Sequence, residues 1–256
     1  LVLMQLKNNQ KNVVSKSYIP LVSICCLTYN HEHYISKALE GFVMQQTNFP
    51  FEILVHEDAS TDNTAAIVRE YEEKYPDLFK CVYQSENQFL KQNTLTNVLF
   101  PIAKGKYIAL CEGDDYWINC NKLQKQIDFL EKNSEYTLCT SLFDIEENNQ
   151  VRQPEIFKNF LKEKDQLYEI SLTNFLDPYV LKTMCSVFKK ELFNYTLVKK
   201  KHFSDLFIWA DLLTKGKGAC LNFVGGVYRL HNTGIWSGLN DIGKATENYN
   251  LAKEME

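Results

Sequence analysis

The chain has 256 residues, 45% of them hydrophobic and 23% charged, with 28 basic against 32 acidic side chains and a formal net charge of −4. That composition fits one large domain, or one domain with a small appendage, and excludes a wholly disordered chain, a collagen-like chain and a basic coat for nucleic acid. No stretch reaches the ~18 uninterrupted apolar residues of a membrane-spanning helix, and residues 1–12 carry no basic-then-apolar leader pattern.

Residues 1–18 are polar and lysine-bearing and read as a loose tail ahead of a single domain over 19–256. Leu21 to Leu27 is almost continuously apolar, as a strand covered on both faces must be. Ile35, Ala38, Leu39, Phe42 and Val43 then follow helical spacing. Phe51 to Val55 is a second apolar strand, and Ser60 or Thr61 is placed to cap a helix that runs to Tyr75 and stops at Pro76. Phe79 to Tyr83 and Tyr107 to Cys111 read as the third and fourth strands, separated by a short helical stretch that ends at Lys104-Gly105. Leu123, Ile127 and Leu130 mark a further helix, and Thr137 to Phe143 a further strand. Beyond it, 146–164 reads as a polar loop, Met184 to Phe188 as a strand, Leu206 to Leu213 as a helix, and Ala219 to Phe223 and Val227 to Leu230 as two short strands.

Regular alternation of strand and helix over 21–144 predicts an α/β fold with a mostly parallel central sheet flanked by helices. Ligands of such sheets bind beyond the carboxyl ends of the strands. Those ends carry Thr28-Tyr29-Asn30, then Glu57-Asp58-Ala59-Ser60-Thr61-Asp62, then Glu112-Gly113-Asp114-Asp115-Tyr116-Trp117. Taken singly, Thr61 and Asp62 serve as well to cap a helix, and Gly113-Asp114-Asp115 as a solvated turn. Their recurrence at successive strand ends points to a site. Carboxylates gathered in one crevice repel unless a cation joins them, and hard oxygen ligands favour Mg²⁺ or Mn²⁺.

The first strand is followed by Thr28-Tyr29-Asn30-His31-Glu32-His33, without the glycines of a dinucleotide-binding or nucleotidyltransferase loop. Eight cysteines at 25, 26, 81, 111, 120, 139, 185 and 220 form no C-x-x-C pair and are expected as buried, reduced thiols of a cytoplasmic protein.

Val22 to Asn30 resembles a V-S-[VI]-x-x-P-T-Y-N opening, with Leu27 in place of Pro. Phe51 to Thr64 resembles F-E-I-[IL]-V-x-[DE]-D-[GA]-S-x-D-x-T, with Glu57 as the first acid. Asn97 to Asp115 resembles N-x-x-x-x-A-x-G-[EK]-Y-I-x-x-x-[DE]-x-D-D, with Thr96 where an Arg is common. Ser204-Asp205 to Trp209 and Gly226 to His231 resemble a later acidic motif, with Ser204 in place of Glu, and a Y-R-x-H segment. These motifs are those of family 2 glycosyltransferases, inverting enzymes of the GT-A fold, and the resemblance covers Leu21 to Ser237. It divides the domain into a nucleotide-sugar-binding half, 19–118, and an acceptor and catalytic half, 119–240.

The resemblance implies transfer from a nucleotide-diphosphate sugar, UDP-sugar favoured, to a saccharide or lipid-linked acceptor in cell-surface glycan synthesis. It implies that Thr28, Tyr29, Asn30, Glu57, Asp58, Asn97 and Glu112 line the nucleotide-sugar pocket, with Asp58 accepting from a uracil-type N–H. Asp115 is placed on a Mn²⁺ or Mg²⁺ ion, Asp114 near the ribose or a metal-bound water, and Asp205 as the base. Arg229 and His231 lie two apart on a strand-like segment and face one side; Arg229 is expected to clamp the diphosphate and His231 to complete the metal shell. Trp117 and Trp209 either line the acceptor pocket or pack in the core. Asp211, Asp177 and Glu191 are the fallback bases. Lys199 to Lys201 is a solvated run or a contact to anionic lipid at the inner face of a membrane. A non-catalytic sugar-nucleotide-binding module and a nucleotidyltransferase are the alternative functions.

Overall fold

The computed structural model describes residues 19–89, 95–159, 167–176, 180–196, 204–232, 234, 238–240, 242, 243, 246 and 253. The tail 1–18, Lys199 to Lys201 and Asp177 lie outside these residues.

The first half follows the predicted alternation. Strands β1 (Val22–Thr28), β2 (Phe51–Glu57) and β3 (Phe79–Tyr83) pair in parallel, and β4 (Tyr107–Leu110) pairs in parallel with β1. Helix α1 (Ile35–Val43) buries Ile35, Ala38, Leu39 and Phe42, the stripe its spacing predicts. Helix α2 (Thr64–Lys74) starts later than a Ser60 or Thr61 cap would set it. Those two side chains are drawn instead onto the end of β1, and Asp62 Oδ1 accepts from the Thr64 amide (2.9 Å). A π-turn, Leu95–Leu99, leads through Phe100–Ile102 to β4.

The second half departs from the parallel pattern. Two-residue β5 (Tyr116–Trp117) precedes helix α3 (Lys122–Lys132) and the long β6 (Tyr136–Glu147). The segment read as a loop from 146 instead begins with a hairpin from β6 to β7 (Gln150–Arg152). Asn148 and Asn149 turn it with φ of 51° and 61°, the left-handed pair that a tight hairpin needs. After β8 (Leu167–Ile170), strand β9 (Val187–Lys189) runs antiparallel between β4 and β6. Helix α4 (Asp205–Leu213) leads to β10 (Lys217–Leu230). The two short strands expected at 219–223 and 227–230 are thus one strand, interrupted by register shifts between Leu221 and Gly226. A Cβ on Gly225 would lie 2.2 Å from Ser141 Oγ, so only glycine lets β10 come this close to β6. Among the described residues the strands form one mixed sheet in the order β3-β2-β1-β4-β9-β6-β10-β5, with β7 beside β6 and β8 beside β10.

A polar knot ties the amino-terminal edge of the parallel strands, away from the site. Buried Glu52 accepts from Ser23 Oγ, Lys80 Nζ and the Lys104 amide, each at 2.7 Å. Burial disfavours its charge, but these bonds outweigh that and hold Glu52 below the usual carboxylate range. A lowered folded value contributes stability above the unfolded carboxylate pKa and loses it as pH falls through the folded one. Glu52→Ala is therefore expected to cost ~1.5–3 kcal/mol at neutral pH, and the cost should shrink in acid. Denaturant titrations at pH 7 and pH 4 check this; an equal cost at both values would contradict it.

Candidate active site

The carboxyl ends of β1 and β2 are bolted together. Asn30, at φ 54°, accepts through Oδ1 from the Thr61 amide (2.8 Å), and its own amide donates to Ser60 Oγ (2.9 Å). Buried Glu57 accepts from the Ser60 amide (2.8 Å). Ala59 sits at φ 59°, where the resembled motif has Gly or Ala; a larger or branched side chain would strain there.

Asp58 is buried and accepts from the Gln88 amide (2.7 Å) and the Phe89 amide (3.1 Å). A carboxylate offers about four acceptor positions, so it has capacity for a further donor. Tyr29 (41% exposed) and Phe89 (54% exposed) present rings to solvent at this rim. Phe89 was not signalled in the sequence, since it lies in a polar loop after β3. Asn97 stands exposed on the π-turn.

The acidic turn after β4 docks on β1 through the Gly113 amide, which donates to the Leu27 carbonyl (2.8 Å). A Cβ on Gly113 would lie 2.6 Å from Thr28 Oγ1 and 2.9 Å from His31 Nδ1. The two aspartates then diverge, but opposite to expectation. Asp115 is 3% exposed, turns inward and accepts from the Arg229 amide (2.7 Å). Burial, with Asp114 and Glu112 nearby, pushes its pKa well up. Asp114 faces the rim: His231 Nε2 bonds its Oδ2 at 3.1 Å, and His31 Nε2 lies 3.8 Å from the same oxygen. Burial works against Asp114's charge, yet the two imidazoles hold it below the usual carboxylate range. Since ionised Asp114 only accepts, His231 donates.

Arg229 does not reach out as a clamp. Its side chain is 8% exposed, with Nε on Glu146 (3.1 Å), Nη1 on the Asp114 carbonyl (2.6 Å) and its guanidinium 4.3 Å from the Tyr116 ring centre. It is a strut that fixes the Asp114-Asp115 turn from β10. Trp117 and Trp209 are core residues, at 2% and 0% exposure. Trp117 donates to the Met184 carbonyl (2.5 Å) and packs on Phe42, and Trp209 packs on Phe188, so neither offers a ring face to an acceptor.

Asp205 opens α4, where Ser204 Oγ caps the helix by accepting from the Leu206 amide (3.2 Å). Ser204, in the place of the usual Glu, therefore acts as the helix cap. Ser204 Oγ and Trp209 Nε1 donate to the two Asp205 oxygens at 2.9 and 3.3 Å. Asp205 shares its surroundings with Glu112, Lys182 and Tyr228, each of which feels its charge. Glu112 accepts from Thr183 Oγ1 (2.7 Å); burial, opposed by this bond, and the charges of Asp114 and Asp205 push it up to about 7. Burial also pushes the Lys182 ammonium down, against the pull of Asp205, Asp115 and Glu112. No sequence motif marked Lys182. Asp211 is tied to Lys215 (2.7 Å), and Glu191 lies with Gly105 and Lys106 at the amino-terminal end of β4. Neither is placed to act as a base here.

Among the described residues, no three His, Cys, Asp or Glu side chains converge to hold a metal by themselves. The donor set nonetheless suits a hard divalent cation. The Asp114 carboxylate and an imidazole nitrogen 3.1 Å apart lie near three further acidic residues, Glu112, Asp115 and Asp205, and such ions take one or two protein ligands and complete their shell with phosphates and water.

Comparison with known proteins identifies the fold and the family. The profile of "Glycosyl transferase family 2" matches residues 23–196. An uncharacterized protein of Mycobacterium tuberculosis is 45% identical over 118 residues, 46% of this chain and 34% of that protein. The chain thus matches about a third of the length of such relatives. The Escherichia coli protein WfgD, named a UDP-Glc:alpha-D-GlcNAc-diphosphoundecaprenol beta-1,3-glucosyltransferase, is 29% identical over 220 residues, 85% of this chain and 80% of WfgD. Among solved structures, Staphylococcus aureus TarS 1-349 in complex with UDP-GlcNAc superposes with a TM-score of 0.67 at 20% identity, over 91% of this chain and 71% of that one. The Pyrobaculum calidifontis mannosyltransferase PcManGT, in complex with GDP-Man and Mn²⁺, does so at 0.61 and 18%, over 98% and 70%. These likenesses show the GT-A type of fold, with its mixed sheet and flanking helices. The family profile takes in every strand end from β1 to β9, and on that ground the chain belongs to glycosyl transferase family 2.

Proposed function

We propose that the chain is the catalytic domain of a divalent-cation-dependent, inverting glycosyltransferase. It moves a sugar from a UDP-sugar to a saccharide or lipid-linked acceptor of cell-surface glycan synthesis. The observation that carries this reading is the outward Asp114 carboxylate paired with His231 at 3.1 Å, beside a buried Glu112 that feels the charges of both Asp114 and Asp205. PcManGT is in complex with GDP-Man and Mn²⁺, and WfgD is named for a diphosphoundecaprenol-linked acceptor; both support it.

Tyr29 and Phe89 offer exposed rings for a nucleobase, and Asp58, bonded to the Phe89 amide, accepts its N–H. Asp114 and His231 hold the cation, assigned to Asp114 in place of the inward Asp115. When bound, that ion supplies Lewis-acid neutralisation of the departing diphosphate. Asp205 takes the proton of the acceptor hydroxyl as that oxygen bonds the anomeric carbon and the carbon–phosphate-oxygen bond breaks. Attack from the face opposite the diphosphate inverts the centre. The eight thiols are unpaired and suit a reducing compartment. No helix of the described residues is long and apolar enough to cross a membrane.

The test is incubation with UDP-sugars, Mn²⁺ and a polyprenyl-diphosphate-sugar acceptor, following UDP release and the extended product. UDP binding without release would leave a binding module, and pyrophosphate release would indicate nucleotidyl transfer. Asp58→Ala is expected to weaken UDP binding ~10- to 100-fold, from the ~1.5–3 kcal/mol of a charged hydrogen bond. Equal UDP affinity by calorimetry would remove Asp58 from the base pocket.

A further inference from the structure

The cation site proposed above has a neighbour that none of the resembled motifs assigns. His31 follows the β1 loop directly, and its imidazole bridges two elements of the site. Nδ1 lies 3.3 Å from Thr28 Oγ1, and Nε2 lies 3.8 Å from Asp114 Oδ2. Its backbone is pinned, since the His31 amide donates to Thr64 Oγ1 (2.7 Å). The next residue is pinned too: the Glu32 amide donates to Asp62 Oδ2 (3.1 Å), and Glu32 accepts from the Asn63 amide (3.0 Å). Tyr34, at the end of the same turn, lays its ring 4.7 Å from that of His231.

Space is kept for this ring. The turn that carries Asp114 has glycine at 113, and a Cβ there would strike both Thr28 and His31. A side chain held at both ends, beside a glycine that makes room for it, is placed to orient the carboxylate it faces.

We propose that His31 is a positioning residue for the cation site. With Thr28 donating to Nδ1, the proton of the ring sits on Nε2 and points at Asp114 Oδ2, while His231 approaches that oxygen from another side. Asp114 is thereby held in one orientation before any ligand arrives. Partners that orient a metal-binding group typically set affinity by ~10- to 100-fold. Because the inference rests on the cation reading, its test separates the two.

Mn²⁺ binding in the presence of UDP is titrated by electron paramagnetic resonance of free Mn²⁺, with no turnover involved. His31→Leu keeps bulk but not the donor, and is expected to weaken Mn²⁺ binding ~10- to 100-fold. His31→Gln returns an N–H near the Nε2 position and should recover most of the affinity. His33→Ala, on an exposed side chain of the same turn, should bind as wild type. Wild-type Mn²⁺ affinity in His31→Leu, or equal loss in the Leu and Gln variants, overturns the positioning role. Asp114→Asn decides the reading beneath it: if that variant still binds Mn²⁺ with UDP as wild type does, the cation site itself is wrong. If Asp114→Asn loses binding and His31→Leu does not, only the inference about His31 fails.

Discussion

Asp205→Asn is expected to lower kcat for sugar transfer by about 10²- to 10⁴-fold, the usual contribution of a general base, with donor Kd unchanged. A sugar hydroxyl is a very weak acid, so its proton must leave as the new bond forms. The acceptor of that proton must lie away from the cation, on the face opposite the leaving diphosphate. Asp205 is proposed for this role: it opens α4, a different element from the β4 turn that carries Asp114 and the segment after β10 that carries His231. Two donors, Ser204 Oγ and Trp209 Nε1, aim its carboxylate. Asn keeps one acceptor oxygen and the size of the side chain, so the fold should lose only ~0.3–1 kcal/mol of helix-dipole interaction. Single-turnover rates with saturating donor, set beside Tm, make the measurement. Turnover near wild type would reduce Asp205 to a helix-terminal charge. Asp211 is bound to Lys215 and Glu191 is at the amino-terminal end of β4, so Glu112, which feels the charge of Asp205, would be tested next.

What the sequence disclosed and what it withheld divide along physical lines. β1, β2 and β4 were legible because strands covered on both faces must be apolar throughout, and α1 because one stripe of it faces the core. Strand direction leaves no mark on composition, so the antiparallel β9 between β4 and β6 could not be read from residues 184–188. The polar strand ends were legible as one cluster because they close successive strands on the same rim of the sheet, and the structure brings them together. The roles within the site were less so. Adjacency shows that Asp114 and Asp115 diverge, but which one turns inward is decided by the Arg229 amide, 114 residues further along the chain. Arg229 and His231 were read as one outward pair, yet Glu146 and Tyr116 hold the guanidinium inside. Trp117 and Trp209 carry no signal that separates a pocket wall from the core; packing against Phe42 and Phe188 settles it. His31 and Lys182 matched no spacing rule, since the acidic groups each meets at the site lie far along the chain.

The divergence of the two aspartates gives the other large effect. Asp114→Asn is expected to weaken Mn²⁺-dependent UDP binding by at least ~100-fold, the upper end of what loss of a mere outer partner costs. Binding of uridine, which has no diphosphate to share a cation, should be unchanged. The substitution removes the charge that His231 and His31 face and leaves the turn anchored, because Arg229 Nη1 bonds the main-chain carbonyl of Asp114. Asp115→Asn should behave differently. Its oxygen can still accept from the Arg229 amide, and the exchange replaces an ionisable group whose charge is disfavoured at a buried position beside Asp114 and Glu112. Tm should hold or rise, and Mn²⁺-dependent UDP affinity should fall far less than in Asp114→Asn. Asp115→Ala, which strands the Arg229 amide, should cost ~1–3 kcal/mol of stability. Calorimetry of UDP with Mn²⁺ and of uridine alone, on the two Asn variants, discriminates the assignments. A greater loss in Asp115→Asn than in Asp114→Asn would return the cation to Asp115, and UDP affinity insensitive to chelator in the wild-type protein would remove the cation from the mechanism altogether.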